Sequence, residues 1–398
     1  GTIALITDPG VQNVDPLMYD TRKFAATADR VFFTASDAVH GRELWTSDGS
    51  QSGTYLVKDI RPGAAGSNVY EMAAADDRLY FTADDGIHGK ELWISDGTET
   101  GTVIVDDLIT TGKDPVLYYS HIAAYGNRVI FTVYNLGSSK SDLWISDGTP
   151  AGTHYLMSLD YFPLYFTPAN GLIYFAGHSE TDTEDSLYQT DGTIAGTQKV
   201  ASSSSLGTYN IHSMVNSGSY IYLTTYDNSG AALWVMRGPG SSLDMVEYFG
   251  NVGLVQPMIW MGRGFDNRLV MLVTEYDEST PTYRADHLYV SDGTPGGKVL
   301  LTGDFANTRG IIADGDGFAF TADSGSEGRQ IWKSDGTPEG TKQFSHFTQS
   351  MCSQQDIMVN GRLTFLALDD YGTGGGTGCE LWAVGPSLMK VYLPHVSK

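Results

Sequence analysis

Short apolar runs, broken at intervals by turn residues, carry most of the information in this chain, and residues 71–108 show the pattern at its cleanest. Met72 and the three alanines behind it lead through Asp76 and Asp77 into an apolar-rich run over 78–83, and a loop follows at 84–89. From Glu91 to Ile94 the pattern alternates. Leu92 and Ile94 fall on one face and Glu91 and Trp93 on the other, which is the period of a strand. Residues 101–106 add another apolar run, so four β-strands, a to d, are predicted here. The link Ser95-Asp96-Gly97-Thr98 is turn chemistry: an aspartate bonds its own backbone two residues on, and a glycine takes positive φ without steric cost.

The same phrase returns eight times. Its aromatic falls at Trp45, Trp93, Trp144, Tyr188, Trp234, Tyr289, Trp332 and Trp382, so copies lie 48, 51, 44, 46, 55, 43 and 50 residues apart. That period suits one four-stranded propeller blade, for which roughly 40 to 50 residues is usual. The expectation is an all-β chain in which residues 1–398 form a single β-propeller of eight four-stranded blades, closed by a terminal strand. Seven blades plus extra strands is the alternative. The blades are expected near 21–60, 70–108, 120–159, 165–201, 211–249, 257–303, 310–347 and 355–396. The turn pairs Asp48-Gly49, Asp96-Gly97, Asp147-Gly148, Asp191-Gly192, Asp292-Gly293 and Asp335-Gly336 recur with the aromatics. Residues that serve every blade alike read as structural, because catalysis needs one asymmetric constellation.

The phrase resembles the ELWxxDGT repeats of secreted and surface-attached bacterial and archaeal proteins, and the likeness runs along essentially the whole chain. Residues 30–60 and 78–108 match best, including the pairs His40-Gly41 and His88-Gly89; the copies at 234 and 382 lack the Asp-Gly-Thr turn. The resemblance implies a secreted β-repeat scaffold and transfers no catalytic residue.

Charge narrows the partners. With 47 acidic against 24 basic side chains the formal charge is −23, which repels nucleic acid and anionic membrane surfaces. No apolar run reaches the roughly 18 residues of a membrane span. Together with the resemblance this suggests a mature extracellular or cell-surface chain whose leader is gone. The two cysteines, Cys352 and Cys379, fall in the last repeat and are either a disulfide stapling that blade or two buried thiols.

Two further features bear on function. There are eight a-b-c sets but nine candidates for strand d, because residues 1–8 look like 53–59 and residues 389–394 also follow their own strand c. A spare strand, carried by Ile3 and Leu5 or by Val391 and Leu393, can cap an edge of its own propeller or add to a neighbouring molecule. The b-to-c loops are rich in carboxylates, among them Asp84, Asp85, Asp182, Asp277, Asp369 and Asp370. Such a face is either simply solvated or a place for Ca2+, a cation that takes six to eight oxygen ligands. Motifs for zinc peptidases, nucleophile elbows and phosphate loops are absent from the sequence. The expected function is therefore a non-enzymatic structural or adhesive protein, polymerising with itself through a donated strand or binding an extracellular polymer. A monomeric carbohydrate- or protein-binding propeller with a cation-dependent acidic face is the first alternative, and a polysaccharide hydrolase the second.

Overall fold

Runs rich in aromatic and β-branched residues, separated by residues that turn tightly, form antiparallel hairpins one after another. The computed structural model describes residues 11–14, 24–48, 52–108, 122–135, 138–182, 184–207, 210–250, 258–262, 264–276, 284–302, 306–314, 317–323, 328–345, 356–359, 362–368, 379–384 and 388–391. In the second repeat the strands are Tyr70–Ala75, Arg78–Asp84, Lys90–Ser95 and Val103–Ile104, hydrogen-bonded in chain order. Five further sheets with this order begin at Ala123, Leu164, Asn210, Met258 and Ala306. In the last repeat Asp356–Val359 pairs with Arg362–Leu368, and Cys379–Val384 with Leu388–Val391. Among the described residues the only helical pieces are 3-10 turns at Pro150–Gly152 and Ser204–Leu206.

The first sheet differs. Its strand Val31–Asp37 pairs with Gly41–Ser47 and also with two short strands, Phe24–Ala26 and Val11–Val14. Phe24 lies opposite Phe33, and Val11 opposite Asp37. An additional short strand thus lies on the chain's own first sheet, at Val11–Val14; residues 1–8 lie outside the described residues. Ile3, Leu5 and Leu393 lie outside the described residues, and Val391 pairs with Leu381.

The chain divides into two compact units, Gly1–Pro163 with Gly192–Thr197 and Glu380–Lys398, and Leu164–Asp191 with Gln198–Cys379. Within each unit the core lies between successive sheets. Phe32, Leu44, Val57 and Ile60 of the first sheet and its exit meet Val69, Met72, Leu79, Phe81 and Trp93 of the second. In the other unit Tyr222, Leu233 and Val246 meet Ile259, Leu269 and Met271 in the same way. Trp93 stacks on Phe81 of its own sheet at 6.4 Å while its outer side joins the first sheet. A ring so placed buries roughly 150 to 250 Å² and ties two sheets together.

A bulge recurs at the Leu-aromatic step. Leu44 pairs with Lys58 but Trp45 with Leu56, so Val57 is skipped and turned inward. Leu156, Val200, Val246 and Leu301 are skipped at the equivalent places. Four of the five are buried, Val57, Leu156, Val246 and Leu301. The extra residue sharpens strand twist and adds one aliphatic side chain to each core.

Candidate functional site

The repeated Ser-Asp-Gly-Thr phrase closes on itself. The Thr98 amide and hydroxyl both donate to Asp96 Oδ1, at 2.8 and 2.7 Å. The Gly101 amide donates to Thr98 Oγ1 at 3.0 Å, and the Gly97 amide to Ser95 Oγ at 2.9 Å. Gly97 has φ +87°, which only glycine adopts freely. The same bonds hold Ser146 to Thr153 and Ser334 to Thr341, and Asp292 receives both donors of Thr294. These donors keep the carboxyls of Asp96, Asp147, Asp292 and Asp335 below their ordinary range, with the threonine hydroxyl the largest cause. Asp48, Asp191 and Gly192 occupy the matching turns, and Gly49 lies outside the described residues. The aromatics face strand b across the sheet: Trp45 opposite Phe33, Trp93 opposite Phe81, Trp144 opposite Phe131, Tyr188 opposite Phe175, Trp234 opposite Leu223, Tyr289 opposite Met271 and Trp332 opposite Phe320. Trp382 lies in the strand Cys379–Val384.

The opposite, b-to-c end of the first two sheets is built differently. Asp37 Oδ1 accepts the amides of Val39 and His40, and its Oδ2 lies 2.7 Å from His40 Nδ1. Asp85 does the same for Ile87 and His88, again with 2.7 Å to the imidazole. The partner carboxylate raises the pKa of each histidine, and both rings stay at the surface. Each carboxylate thereby fixes a tight hairpin whose tip is apolar: Val39 is 66% exposed and Ile87 82%.

Behind these tips lie two buried acids. Glu43 accepts the amides of Ile60 and Arg61, at 3.3 and 3.2 Å, and the Ser67 hydroxyl at 2.5 Å. Glu91, its counterpart, is fully buried and faces the Leu108 amide, as Glu43 faces that of Ile60. Burial pushes both carboxyls up to about 7. At the same position Asp142 accepts the Ser158 hydroxyl, and Gln330 accepts that of Ser345 at 2.9 Å. The motif glutamate therefore holds the chain as it leaves strand d. Sequence reasoning placed Glu91 on an alternating face and missed this burial. The available signal was a cation before the acid, Arg42-Glu43 and Lys90-Glu91, which occurs only in the first two copies.

The candidate calcium ligands among the described residues are engaged by the protein itself. Asp84 pairs with Arg61 at 2.9 Å and caps the Gly86 amide, while Asp85 holds the His88 hairpin. Asp182 accepts Lys199 at 2.7 Å, the Tyr188 hydroxyl at 2.5 Å and the Ser179 amide at 3.0 Å. Burial opposes its charge, yet these donors prevail and hold its pKa at about 2. Asp277, Asp369 and Asp370 lie outside the described residues, as does Cys352 with any bond to Cys379. Among the described residues no group of three or more His, Cys, Asp or Glu is arranged to hold a metal, and no helix is long and apolar enough to cross a membrane.

No family model and no curated protein matches the chain. Solved structures do. One of two prolyl endopeptidases, studied for inter-domain dynamics in catalysis and specificity, superposes with a TM-score of 0.51 at 11% identity over 81% of this chain and 49% of that one. The acylaminoacyl peptidase of Pyrococcus horikoshii gives 0.46 at 9% identity over 82% and 52%. The β-propeller domain of the Trilobed protease from Pyrococcus furiosus gives 0.46 at 11% identity over 69% and 83%. The chain thus spans about half the length of the two whole peptidases. At this identity the likeness establishes an all-β, propeller-type fold. It also runs against the expectation of a non-enzymatic structural protein, because the structure that this fold matches at a TM-score of 0.51 is a prolyl endopeptidase.

Proposed function

We propose that this chain is a polypeptide-binding propeller of eight four-stranded blades, closed by a terminal strand, that brings peptide to a hydrolytic centre. The observation that carries the reading is the pair of rigid apolar tips, Val39 and Ile87, each exposed and each locked by an aspartate-histidine clamp. Exposed aliphatic groups on pre-ordered turns lose little entropy on binding, which is what an adaptable chain needs from its receptor. The fold's resemblance to a prolyl endopeptidase supports peptide as the ligand class. The net charge of −23 adds attraction for neutral or basic segments over acidic ones.

The test is fluorescence anisotropy of a labelled unfolded polypeptide, reduced and carbamidomethylated lysozyme, against the intact chain and a Val39→Asp/Ile87→Asp variant. Saturable binding that weakens in the variant, with an unchanged circular dichroism spectrum, supports the reading. No saturable binding to the intact chain, or equal binding by the variant, overturns it.

A further inference from the structure

Where the first sheet meets the second, the structure forms an open cleft of about 320 Å³ lined by Arg42, Asn68, Val69, Tyr70 and Lys90. Its walls are fixed by close backbone contact. A Cβ on Gly66 would lie 2.5 Å from the Arg42 nitrogen, so the connecting segment seats directly on the start of strand c. The Ser67 amide then donates to the Arg42 carbonyl at 3.0 Å, the Ser67 carbonyl accepts the Asp84 amide at 2.8 Å, and the Ser67 hydroxyl is held by buried Glu43. Asn68 follows at φ +50°, which turns the chain into strand a.

The charge of this cleft runs against that of the molecule. Two cations line it in a chain of net charge −23. Lys90 is half-buried, its ammonium 5.5 Å above the Tyr70 ring, and no carboxylate stands within ion-pair distance of it among the described residues. The acids whose charge reaches it are Glu71, which is buried, and Asp84, which is committed to Arg61. A desolvated ammonium held by an aromatic face is a ready anion site. The charge of Glu71 subtracts from the field at Lys90 and favours a single negative charge over a dianion. Val69 and Tyr70 add an apolar wall beside the cations.

We propose that this cleft binds a carboxylate borne by a peptide, either its C-terminus or an acidic side chain, with the Lys90 ammonium as the contacting cation. The inference rests on the polypeptide-binding reading and names the group that the loop end would anchor. It is tested by titrating the intact chain, followed by NMR, with three N-acetylated peptides: Ala-Ala-Phe as the free acid, the same as its amide, and Ala-Glu-Phe amide. Either acid form, or both, should bind about tenfold tighter than the neutral amide, the effect of one charge-assisted contact. Which of them does so identifies the source of the carboxylate. Lys90→Met should abolish that preference and Lys90→Arg retain it, both with the native circular dichroism spectrum. Equal affinity for acids and amide, or a preference that survives Lys90→Met, overturns the carboxylate site while leaving polypeptide binding intact. Failure of all three peptides to bind overturns the carboxylate site, while polypeptide binding stands or falls on the lysozyme titration.

Discussion

The Ser67 hydroxyl donates to Glu43 Oε2 at 2.5 Å and, together with the Ser67 amide on the Arg42 carbonyl, joins strand c of one sheet to the segment that starts the next. That glutamate is buried, and its environment includes Asp59, while Glu91 has Asp107, Asp106 and His88 around it. Because burial raises both pKa values from 4.5 to about 7, their contribution to stability is complete below about pH 4.5 and is lost as pH rises through 7. One unit of pKa corresponds to about 1.4 kcal/mol, so the loss is on the order of a few kcal/mol per glutamate. Thermal unfolding followed from pH 5 to 8 should show a falling midpoint. Glu43→Gln with Glu91→Gln should flatten the fall, since Gln330 already fills this place as an amide.

Asp182 titrates the other way. Its carboxyl is held at about 2, so its stabilisation is present above about pH 4 and lost as pH falls towards 2. Tyr188→Phe removes one of the donors responsible. The acid-unfolding midpoint, read by far-UV circular dichroism, should move to higher pH, with a cost near neutrality of about 1 to 3 kcal/mol.

Trp93→Ala opens the core between two sheets, and losses of about 3 to 5 kcal/mol are usual for such truncations. Chemical denaturation should show this drop. Trp93→Phe should recover part of it by keeping a ring against Phe81.

A Cβ on Gly101 would lie 2.1 Å from Asp96 Oδ1, the atom that receives both donors of Thr98. Gly101→Ala should therefore expel the aspartate from its turn and cost about 1 to 2 kcal/mol in a denaturant titration. The same change at Gly152 or Gly340 should cost a similar amount, because Asp147 and Asp335 stand in the same relation to them.

What could be read from the sequence was what is local. Strand alternation and the Asp-Gly turns depend on residues a few positions apart, so residues 95–102 revealed their structure directly. The bulge at Val57 is a property of pairing between two strands, and no single segment encodes it visibly. Likewise the partners of Glu43 lie 17, 18 and 24 residues further on, which is why an alternating pattern did not reveal them. Arg42 and Lys90 come together only through the seating of the segment around Gly66 on strand c. The loop carboxylates invited a metal, whereas the nearby Arg61 and Lys199 and the hairpin amides claim them once the chain is folded.

Strands that pair only with their neighbours in the chain, as in the second repeat, set an order of assembly. Each sheet needs nothing that has yet to be synthesised except the face of the next one. Its hairpins close over short separations, which favours fast formation, and can do so while later repeats are still being translated. The one departure among the described residues, Val11–Val14 alongside Val31–Asp37, must wait only for strand b of its own repeat. A nascent chain of this kind exposes only the outer faces of its first and its latest sheet, so the hazard of aggregation during synthesis stays the same size however many repeats follow.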